Sequence, residues 1–346
     1  IAIDFFSSSF ISSGKSFLCN LISICITYLY MKPKEILVFG ASGQIGRHLL
    51  RKLTKKNFKL TVVTRNIHRN AYKLKSQGNA GWINFVEFPT LNDDKINQIF
   101  KNKDVCINLI GVLNEKNKST FNSIHSILPK KLAELSKKNN LKQFIHISAL
   151  GIDDAKDSKY ASSKISGEIE IKKAFDKYII LKPSIVYSVN DNFTTMLMTM
   201  LKYLPLFPLY YQGKTSFYPI HVTDICEIIE KIVIAEMSNE TIECIGPEKI
   251  KFIEIVQTIL KSLDIKRLLI PFPLFLGRFT ASFFEFFMKN PILTNDQLNL
   301  LKYDNVPSGK YKTNIDLELN SNLKNFEEEI FKYSYMWKDG GEFSRD

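Results

Sequence analysis

The sequence predicts an α/β protein, a doubly wound parallel sheet with a smaller, mixed C-terminal substrate domain. Short apolar strands alternate with helical stretches from residue 36 to residue 181, which is typical of a parallel sheet. The first strand, Ile36–Phe39, leads directly into a glycine-rich turn and then a helix. A serine, tyrosine and lysine set follows a later strand, at the sheet edge where ligands of such folds bind.

The glycine-rich turn has the features of a phosphate cradle in a dinucleotide-binding βαβ unit. Gly40 permits a tight turn, Gly43 lets the backbone approach a pyrophosphate, and Gly46 lets the helix pack close to the strand. The helix N-terminus adds free N–H groups and the positive end of its dipole. We therefore expect the rest of this turn to take part in cofactor binding, namely Ser42, Gln44 and Ile45.

The remaining elements follow in alternation. Strands are predicted at Lys59–Thr64, Ile83–Phe88, Val105–Ile110, Phe144–Ser148, Tyr178–Leu181 and Thr241–Ile245. Helices are predicted at Ile45–Lys55, Asp93–Phe100, Ser126–Asn139, Tyr160–Ala174, Asp224–Glu236 and Phe252–Leu263. Several polar or glycine residues fall at strand ends, so they are expected to gather at one edge of the sheet.

Ser148, Tyr160 and Lys164 form the candidate catalytic set. Tyr160 and Lys164 are four residues apart, so they share one face of a helix. A nearby ammonium stabilises phenolate, and Lys164 is therefore expected to lower the pKa of Tyr160 for acid–base chemistry. Ser148 is expected to orient a substrate carbonyl or hydroxyl by hydrogen bonding. The alternative is an ordinary exposed helix face.

The end of the second strand favours NADP(H) over NAD(H). A site for NAD places a carboxylate there for the ribose 2′-hydroxyl, whereas this strand ends in Thr64, Arg65 and Asn66. Arg65 can neutralise a 2′-phosphate, and Arg69 and Arg47 are further candidates. The stretch Val86–Pro89 lacks the aspartate that often follows the third strand of related folds, which leaves the adenine contact open.

These motifs resemble the short-chain dehydrogenase/reductase superfamily, in its extended or atypical branch, over about Lys34 to Asn320. Three further segments carry this resemblance: Asn108–Gly111, Leu181–Tyr187 and Pro219–Asp224. A narrower resemblance is to the family of 39-kDa accessory subunits of respiratory complex I and their bacterial relatives. The segments that carry it are Phe121–His125, His146–Gly151 and above all Leu293–Val306, LTNDQLNLLKYDNV.

The resemblance implies that Gly111 and Pro183 line the cofactor site, that Tyr160 moves a proton and that Lys164 holds the nicotinamide ribose. Asn108 is expected to support either the strand end or a cofactor ribose. His125, His146 and His221 are interpreted as packing or turn residues, with a catalytic role of His221 and Asp224 as the alternative, and the histidine spacing fits no metal site.

Three functions stay open on these residues. The first is a complex-I-type accessory subunit, or a free-standing bacterial relative of it, that holds NADPH as a structural or regulatory element. The second is an independent NADP-dependent oxidoreductase or epimerase, acting on a lipophilic or quinone-like substrate because the C-terminal half is apolar and rich in phenylalanine. The third is a binding or assembly module without turnover.

The charge of the chain points to an acidic partner. Its net charge is +12, and residues 36–86 contain ten Lys or Arg with no Asp or Glu. A partner subunit or an anionic membrane surface explains this bias better than nucleic acid does. The aromatic segment Phe272–Met288 suits docking near a membrane, with burial in the core as the alternative. The expected location is cytoplasmic, with peripheral contact to the inner face of the plasma membrane.

The five cysteines show no paired spacing, so neither a metal nor a disulfide framework is predicted. Residues 1–30 are set apart as an N-terminal extension: upstream sequence before a start at Met31, a targeting or anchoring segment, or a piece of a native extension. The predicted domains are a cofactor domain at 31–190, a substrate or partner domain at 191–320 in which 216–250 return to the sheet, and a polar tail at 321–346.

Overall fold

The computed structural model describes residues 33–78, 81–87, 95–115, 119–288, 291 and 293–344. The chain divides into two compact units, Ile1–Lys34 and Glu35–Asp346, and the candidate site lies in the second. The predictions for residues 1–30, for Phe88 and Pro89, and for the start of the helix at Asp93 lie outside the described residues.

Within the described residues, fourteen strands occur, and eight of them form one parallel sheet. In chain order, the strands are β1 Glu35–Phe39, β2 Lys59–Thr64, β3 Ile83–Glu87, β4 Val105–Asn108, β5 Gln143–Ile147, β6 Tyr178–Pro183, β7 Val186–Tyr187, β8 Leu206–Leu209, β9 Ser216–Phe217, β10 Ile220–His221, β11 Glu240–Cys244, β12 Ile250–Lys251, β13 Leu268–Pro271 and β14 Lys312–Thr313. The order in the sheet is β14-β11-β6-β5-β4-β1-β2-β3. The strand order reverses between β1 and β4, which places the ligand crevice beyond the carboxyl ends of these two strands.

The helices of the described residues cover both faces of the sheet. They are α1 Gln44–Thr54, α2 Ile67–Lys75, α3 Lys95–Phe100, α4 Leu128–Lys138, α5 Lys159–Ala174, α6 Thr194–Tyr203, α7 Val222–Ala235, α8 Phe252–Leu263, α9 Leu274–Phe287, α10 Asn295–Leu300 and α11 Phe326–Tyr333. A π-helical turn, Ser123–Ile127, leads into α4. Helices α1 and α7 pack together on one face, and α4 and α5 pack together on the other.

Strand β1 shows how the sequence determines this two-sided packing. Ile36 and Val38 belong to the apolar core beneath α1 and α7, while Leu37 and Phe39 belong to the core beneath α4 and α5. Successive side chains of a strand point to opposite faces, so a strand covered on both faces must be apolar throughout. The predicted doubly wound parallel sheet is confirmed.

A second core lies in the smaller C-terminal part. Helices α6, α8 and α11 contribute Leu197, Ile255, Phe326 and Ile330 to it. The stretch 321–346, predicted as a polar tail, therefore carries a packed helix. Its composition is polar overall because the few apolar residues that form the buried face are separated by lysines and glutamates. Strand β14, also late in the chain, extends the sheet beside β11.

Two local differences from the predicted elements have clear causes. Helix α2 was not predicted, although Asn66 accepts a hydrogen bond from the Arg69 N–H at 2.8 Å and so caps its start. The helix predicted at Ser126–Asn139 begins as the π-helical turn, which widens the backbone where it meets α5.

Helix α9 exposes most of its apolar side chains. Phe275, Phe279 and Phe286 are 71%, 73% and 82% exposed, whereas its buried residues are the small Gly277 and Ala281. The reading of this segment as core is therefore wrong for the face that carries these three rings. No helix among the described residues has both the length and the apolar character needed to cross a membrane.

Candidate functional site

The three glycines form the predicted tight turn between β1 and α1. Gly40 has φ +81°, and a Cβ there would lie 2.9 Å from the Ile110 backbone nitrogen. The Gly43 N–H donates to the Gly40 carbonyl at 3.1 Å and closes the turn. A Cβ on Gly46 would overlap the backbone of Ala41, so the close helix–turn packing requires glycine.

The N-terminus of α1 fits an anionic group. Gly43 occupies the N-cap position, and within the described residues no side chain caps the helix and no acid lies in its first turn. The Nε atom of Arg47 is buried and has no hydrogen-bond partner in the described part of the chain. Backbone donors, the helix dipole and an unsatisfied guanidinium nitrogen together suit the pyrophosphate of a dinucleotide.

The other residues of this turn differ in their surroundings. Ser42 and Gly43 are exposed, and Ile45 packs against the core beneath α1. The Gln44 side chain donates to the Val186 carbonyl at 3.3 Å and to Ser188 Oγ at 3.1 Å. Gln44 thus ties the cradle to the segment that follows β6, and its side chain is engaged there.

Two arginines, Arg65 and Arg69, and one carboxylate, that of Glu87, lie together at the carboxyl end of β2 (the basic corner). Arg65 and Arg69 are both exposed, directly after β2 and in the first turn of α2. Glu87 ends β3 opposite Thr64, and its carboxylate accepts the Ile67 N–H at 3.2 Å. Sequence reasoning assigned Glu87 to the third strand alone and missed that the parallel register brings it to the end of β2.

Asn108 and His146 form a buried polar pair beneath the crevice. The Asn108 amide lies 3.1 Å from His146 Nδ1, and its oxygen accepts the Ile110 N–H at 3.1 Å. Both polar groups of Asn108 are therefore used by the protein, which favours the strand-end role over the ribose role. The Nε2 atom of His146 is buried without a partner among the described residues.

Tyr160 and Lys164 lie on one face of α5, as predicted. The Lys164 ammonium donates to the Ile147 carbonyl at 3.0 Å and lies 5.9 Å from the centre of the Tyr160 ring. A Cβ on Gly111 would be 3.6 Å from the same ammonium, so the loop after β4 faces Lys164 closely. Pro183, at the end of β6, accepts the Leu150 N–H through its carbonyl at 2.9 Å.

The pKa of Tyr160 does not follow the prediction. Burial, with a contribution from the Asp296 carboxylate, raises the pKa of Tyr160 to about 12. Burial also lowers the pKa of Lys164 to about 8. The expected lowering at Tyr160 is absent because the Lys164 ammonium is turned toward the Ile147 carbonyl.

Ser148 faces a buried ionic network instead of the crevice. Its hydroxyl donates to Glu168, and Glu168 pairs with the fully buried Lys182 at 3.4 Å. Lys182 also pairs with Asp153 at 2.7 Å. The predicted substrate-orienting role is therefore not supported by this arrangement: the β5 end points the Ser148 side chain inward, toward α5 and β6.

His125 supports the site in a way that sequence reasoning missed. Its Nε2 accepts the Val112 N–H at 3.1 Å, so its Nδ1 carries the proton and donates to Ser163 Oγ at 2.9 Å. Ser163 in turn donates to the Tyr160 carbonyl at 2.7 Å. The imidazole therefore connects the loop after β4 to α5, and its ring also packs edge-on against the Tyr160 ring.

We expect His125 to make folding sensitive to acid. Burial, with a smaller contribution from Lys164, lowers the pKa of His125 to about 3 in the folded state. The unfolded chain takes up this proton below pH 6.5, so the contribution to stability is present at pH 7 and is lost as the pH falls. Between pH 7 and pH 5 the loss is about 2 kcal/mol.

Chemical unfolding of the His125→Gln variant at both pH values measures this contribution. The variant is expected to lose about 2 kcal/mol less than the unmodified chain, because glutamine does not titrate there. His68→Gln, the same change at an exposed histidine of α2, is the control and is expected to leave the pH dependence unchanged. Equal pH dependence in all three proteins would contradict the prediction.

His221 and Asp224 act as turn and packing residues. His221 Nδ1 lies 2.7 Å from the Thr223 hydroxyl at the start of α7. The Asp224 carboxylate accepts the Lys324 N–H at 2.9 Å, which attaches the C-terminal stretch to α7. Burial raises the pKa of Asp224 to about 6. Among the described residues, no group of three His, Cys, Asp or Glu side chains could hold a metal ion.

Comparison with known proteins identifies the family. Residues 36–242 match the model of the NAD dependent epimerase/dehydratase family, which covers the glycine turn, Tyr160 and Lys164. The match spans more than half of the chain.

Curated relatives include subunits of a respiratory complex. The chain is 26% identical over 271 residues to "NADH dehydrogenase [ubiquinone] 1 alpha subcomplex subunit 9, mitochondrial" of Mus musculus, covering 78% of this chain and 72% of that protein. It is 24% identical to "NADH-ubiquinone oxidoreductase 40 kDa subunit, mitochondrial" of Neurospora crassa, covering 84% and 76%.

Solved structures show the same fold. The dTDP-glucose 4,6-dehydratase of Bacillus anthracis, solved in complex with NAD, superposes with a TM-score of 0.60 at 17% identity, over 88% of this chain and 96% of that one. At this identity the likeness describes the fold alone. It agrees with the parallel sheet and the smaller C-terminal part described above.

Proposed function

Because the chain belongs to the NAD dependent epimerase/dehydratase family, we propose that its crevice binds NADP(H) and that the protein is a dinucleotide-holding subunit of a complex-I-type NADH:ubiquinone oxidoreductase. The observation that carries the cofactor proposal is the uncapped start of α1, with the exposed Gly43 and the unsatisfied Arg47 Nε. Lys164 would hold the nicotinamide ribose, and Arg65 would hold a 2′-phosphate. When bound, the nicotinamide supplies hydride-transfer chemistry.

Two features support a holding role over turnover. Tyr160 is partly buried and packed against Phe121 and His125, and its raised pKa makes the phenol a weaker proton donor than an ordinary tyrosine. The Ser148 hydroxyl, which would orient a substrate, is engaged by Glu168. A site of this kind would hold a dinucleotide, while the Ser148 hydroxyl is not free to orient a substrate.

Assembly is supported by the surface and by the relatives. The exposed aromatic face of α9, with Phe275, Phe279 and Phe286, offers an apolar surface larger than scattered single residues do. The two curated relatives are named as subunits of the NADH-ubiquinone oxidoreductase. We propose that this face docks on a partner subunit of such a complex, close to the inner face of the membrane that holds it.

A second candidate is an independent NADP-dependent oxidoreductase or epimerase. The observation that favours it is the pair Tyr160 and Lys164 on one face of α5, with the Lys164 ammonium beside Gly111. In this case Tyr160 would pass a proton to or from a substrate oxygen. A lipophilic or quinone-like substrate fits best, because Phe121 packs edge-on against Tyr160, and Leu300 and Tyr303 pack against the same apolar cluster as Tyr160.

Nucleotide analysis of the purified full chain separates the two candidates. We expect NADP(H) to be released on denaturation, and bound NADPH to keep its absorbance when a short-chain quinone is added. Oxidation of bound NADPH by the quinone would favour the enzyme. Absence of any nucleotide, together with absence of binding on titration, would contradict the cofactor proposal.

Arg65→Ala tests the choice of cofactor. We expect the affinity for NADPH to fall at least about tenfold, because a charge-assisted contact to phosphate is lost, while the affinity for NADH stays within about twofold. Titration of nicotinamide fluorescence measures both. Lys55→Ala, an exposed cation at the other end of α1, is the control and should change neither affinity.

Glu87 offers the alternative to a 2′-phosphate contact at Arg65, because its carboxylate could accept a hydrogen bond from the ribose 2′-hydroxyl of NADH. If the unmodified chain binds NADH more tightly than NADPH, and Glu87→Gln weakens NADH binding, the ribose hydroxyl rather than a phosphate is recognised. That pair of results would contradict the NADP(H) assignment.

A further inference from the structure

The segment Leu293–Val306, the most distinctive string in the sequence, contacts the catalytic edge from the C-terminal part. Its helix α10 brings Asp296 to the start of α5. The Asp296 carboxylate accepts the Ser158 hydroxyl at 2.8 Å, the Lys159 N–H at 2.8 Å and the Tyr160 N–H at 3.2 Å. A carboxylate at a helix N-terminus is favourable, so this contact fixes the first turn of α5, which carries Tyr160.

The other end of the segment is fastened to the loops after β5 and β6. Asn305 donates from its amide to the Leu150 carbonyl at 2.6 Å and accepts from the Ser184 hydroxyl. Its backbone N–H donates to the Ser216 carbonyl at 2.8 Å. A Cβ on Gly151 would lie 2.9 Å from the Asp304 carbonyl oxygen, so this approach depends on glycine.

Between these two attachments the segment packs against the same small apolar cluster as Tyr160. Leu300 and Tyr303 pack against the small cluster at the catalytic edge, to which Ala149 and Tyr160 also belong. The segment therefore holds the first turn of α5, which carries Tyr160, through hydrogen bonds of Asp296 and through a shared apolar cluster.

We infer that residues 294–305 form an intramolecular clasp in which Asp296 is a positioning residue for Tyr160, and that this clasp slows the release of the nicotinamide half of the bound dinucleotide. The inference rests on the proposed cofactor site. The adenosine half would lie beyond β2, near Arg65, on the far side of β1 from β5 and α5 in the strand order. The clasp contacts α5 and the loops after β5 and β6, so only the nicotinamide half depends on it.

The test compares release of two ligands from the full chain. Stopped-flow fluorescence measures NADPH dissociation, and titration measures the affinity for 2′,5′-ADP, which lacks the nicotinamide half. For Asp296→Asn we expect NADPH to dissociate at least about tenfold faster, since a charged acceptor of three hydrogen bonds is lost. The affinity for 2′,5′-ADP is expected to stay within about twofold, because its contacts do not involve the clasp.

Asp316→Asn is the matched control. The Asp316 carboxylate also accepts a backbone N–H, that of Thr313 at 2.8 Å, but it lies after β14 and outside the clasp. This variant should leave NADPH release unchanged. Asn305→Ala tests the other attachment, and we expect it to accelerate NADPH release, as Asp296→Asn does.

The outcomes separate this inference from the proposed function. Unchanged NADPH release in both clasp variants, with binding intact, would overturn the clasp and leave the cofactor site standing. Equal weakening of NADPH and 2′,5′-ADP would also overturn it, because it would mean a general loss of structure. Failure of the unmodified chain to bind either ligand would overturn the proposed function itself.

Discussion

Replacement of Gly43 by alanine is expected to lower dinucleotide affinity at least about hundredfold, which is about 2.7 kcal/mol. Gly43 has φ −72°, an angle that alanine adopts, and its Cβ would meet only the Gly40 carbonyl oxygen at 3.4 Å. The folded protein therefore has room for the methyl group. A pyrophosphate at the start of α1 needs close approach of this backbone, and the methyl group would prevent that approach.

Two measurements make this prediction specific. Calorimetric titration with NADPH measures the affinity, and urea unfolding is expected to show a change within about 1 kcal/mol, the range of glycine-to-alanine effects at a cap. Gly46→Ala gives the contrast: its Cβ overlaps the Ala41 backbone, so stability and binding should fall together. Full affinity in a stable Gly43→Ala protein would mean that no phosphate binds at this turn.

Replacement of Lys182 by methionine is expected to destabilise the fold by about 3–5 kcal/mol. The Lys182 side chain is fully buried between Glu168 and Asp153. Burial alone would lower the pKa of Lys182, but Glu168 and Asp153 together raise it, so the ammonium stays charged. Its removal leaves the Glu168 carboxylate buried beside Ser148 without its cation, which is the costly step.

Urea unfolding measures this loss of stability, and two further variants test whether its cause is the unpaired buried charge. Lys142→Met breaks an exposed pair with Glu236 and should cost less than about 1 kcal/mol. The double variant Lys182→Met with Glu168→Gln should recover part of the loss, because the unpaired charge is gone. A double variant as unstable as the sum of the single changes would contradict an ionic cause.

Sequence reasoning predicts the parts of this protein that depend on local pattern. Strand alternation, the glycine turn and the shared face of Tyr160 and Lys164 each involve residues a few positions apart, so spacing suffices to find them. The family follows from the same local motifs.

The departures are contacts between distant residues. Asp296 reaches the start of α5 across 138 positions, and Glu87 reaches α2 only because β3 pairs with β2. Ser148 ends a buried strand, and the pattern does not say whether its hydroxyl faces the crevice or the Glu168 carboxylate. Tertiary packing decides which polar group meets which partner, and the spacing of residues along the chain does not reveal it.

The late position of the clasp has a consequence for synthesis of the chain. Asn305 forms its hydrogen bond with Leu150, which lies 155 positions earlier in the chain. The outer edge of β6 stays unpaired until β11 has been synthesised. At a ribosomal rate of about 5–20 residues per second, the six strands from β1 to β6 emerge on the order of ten seconds before the clasp can close. During that interval an unpaired strand edge faces solvent beside an open crevice, so the nascent protein is expected to depend on chaperones more than its finished fold does.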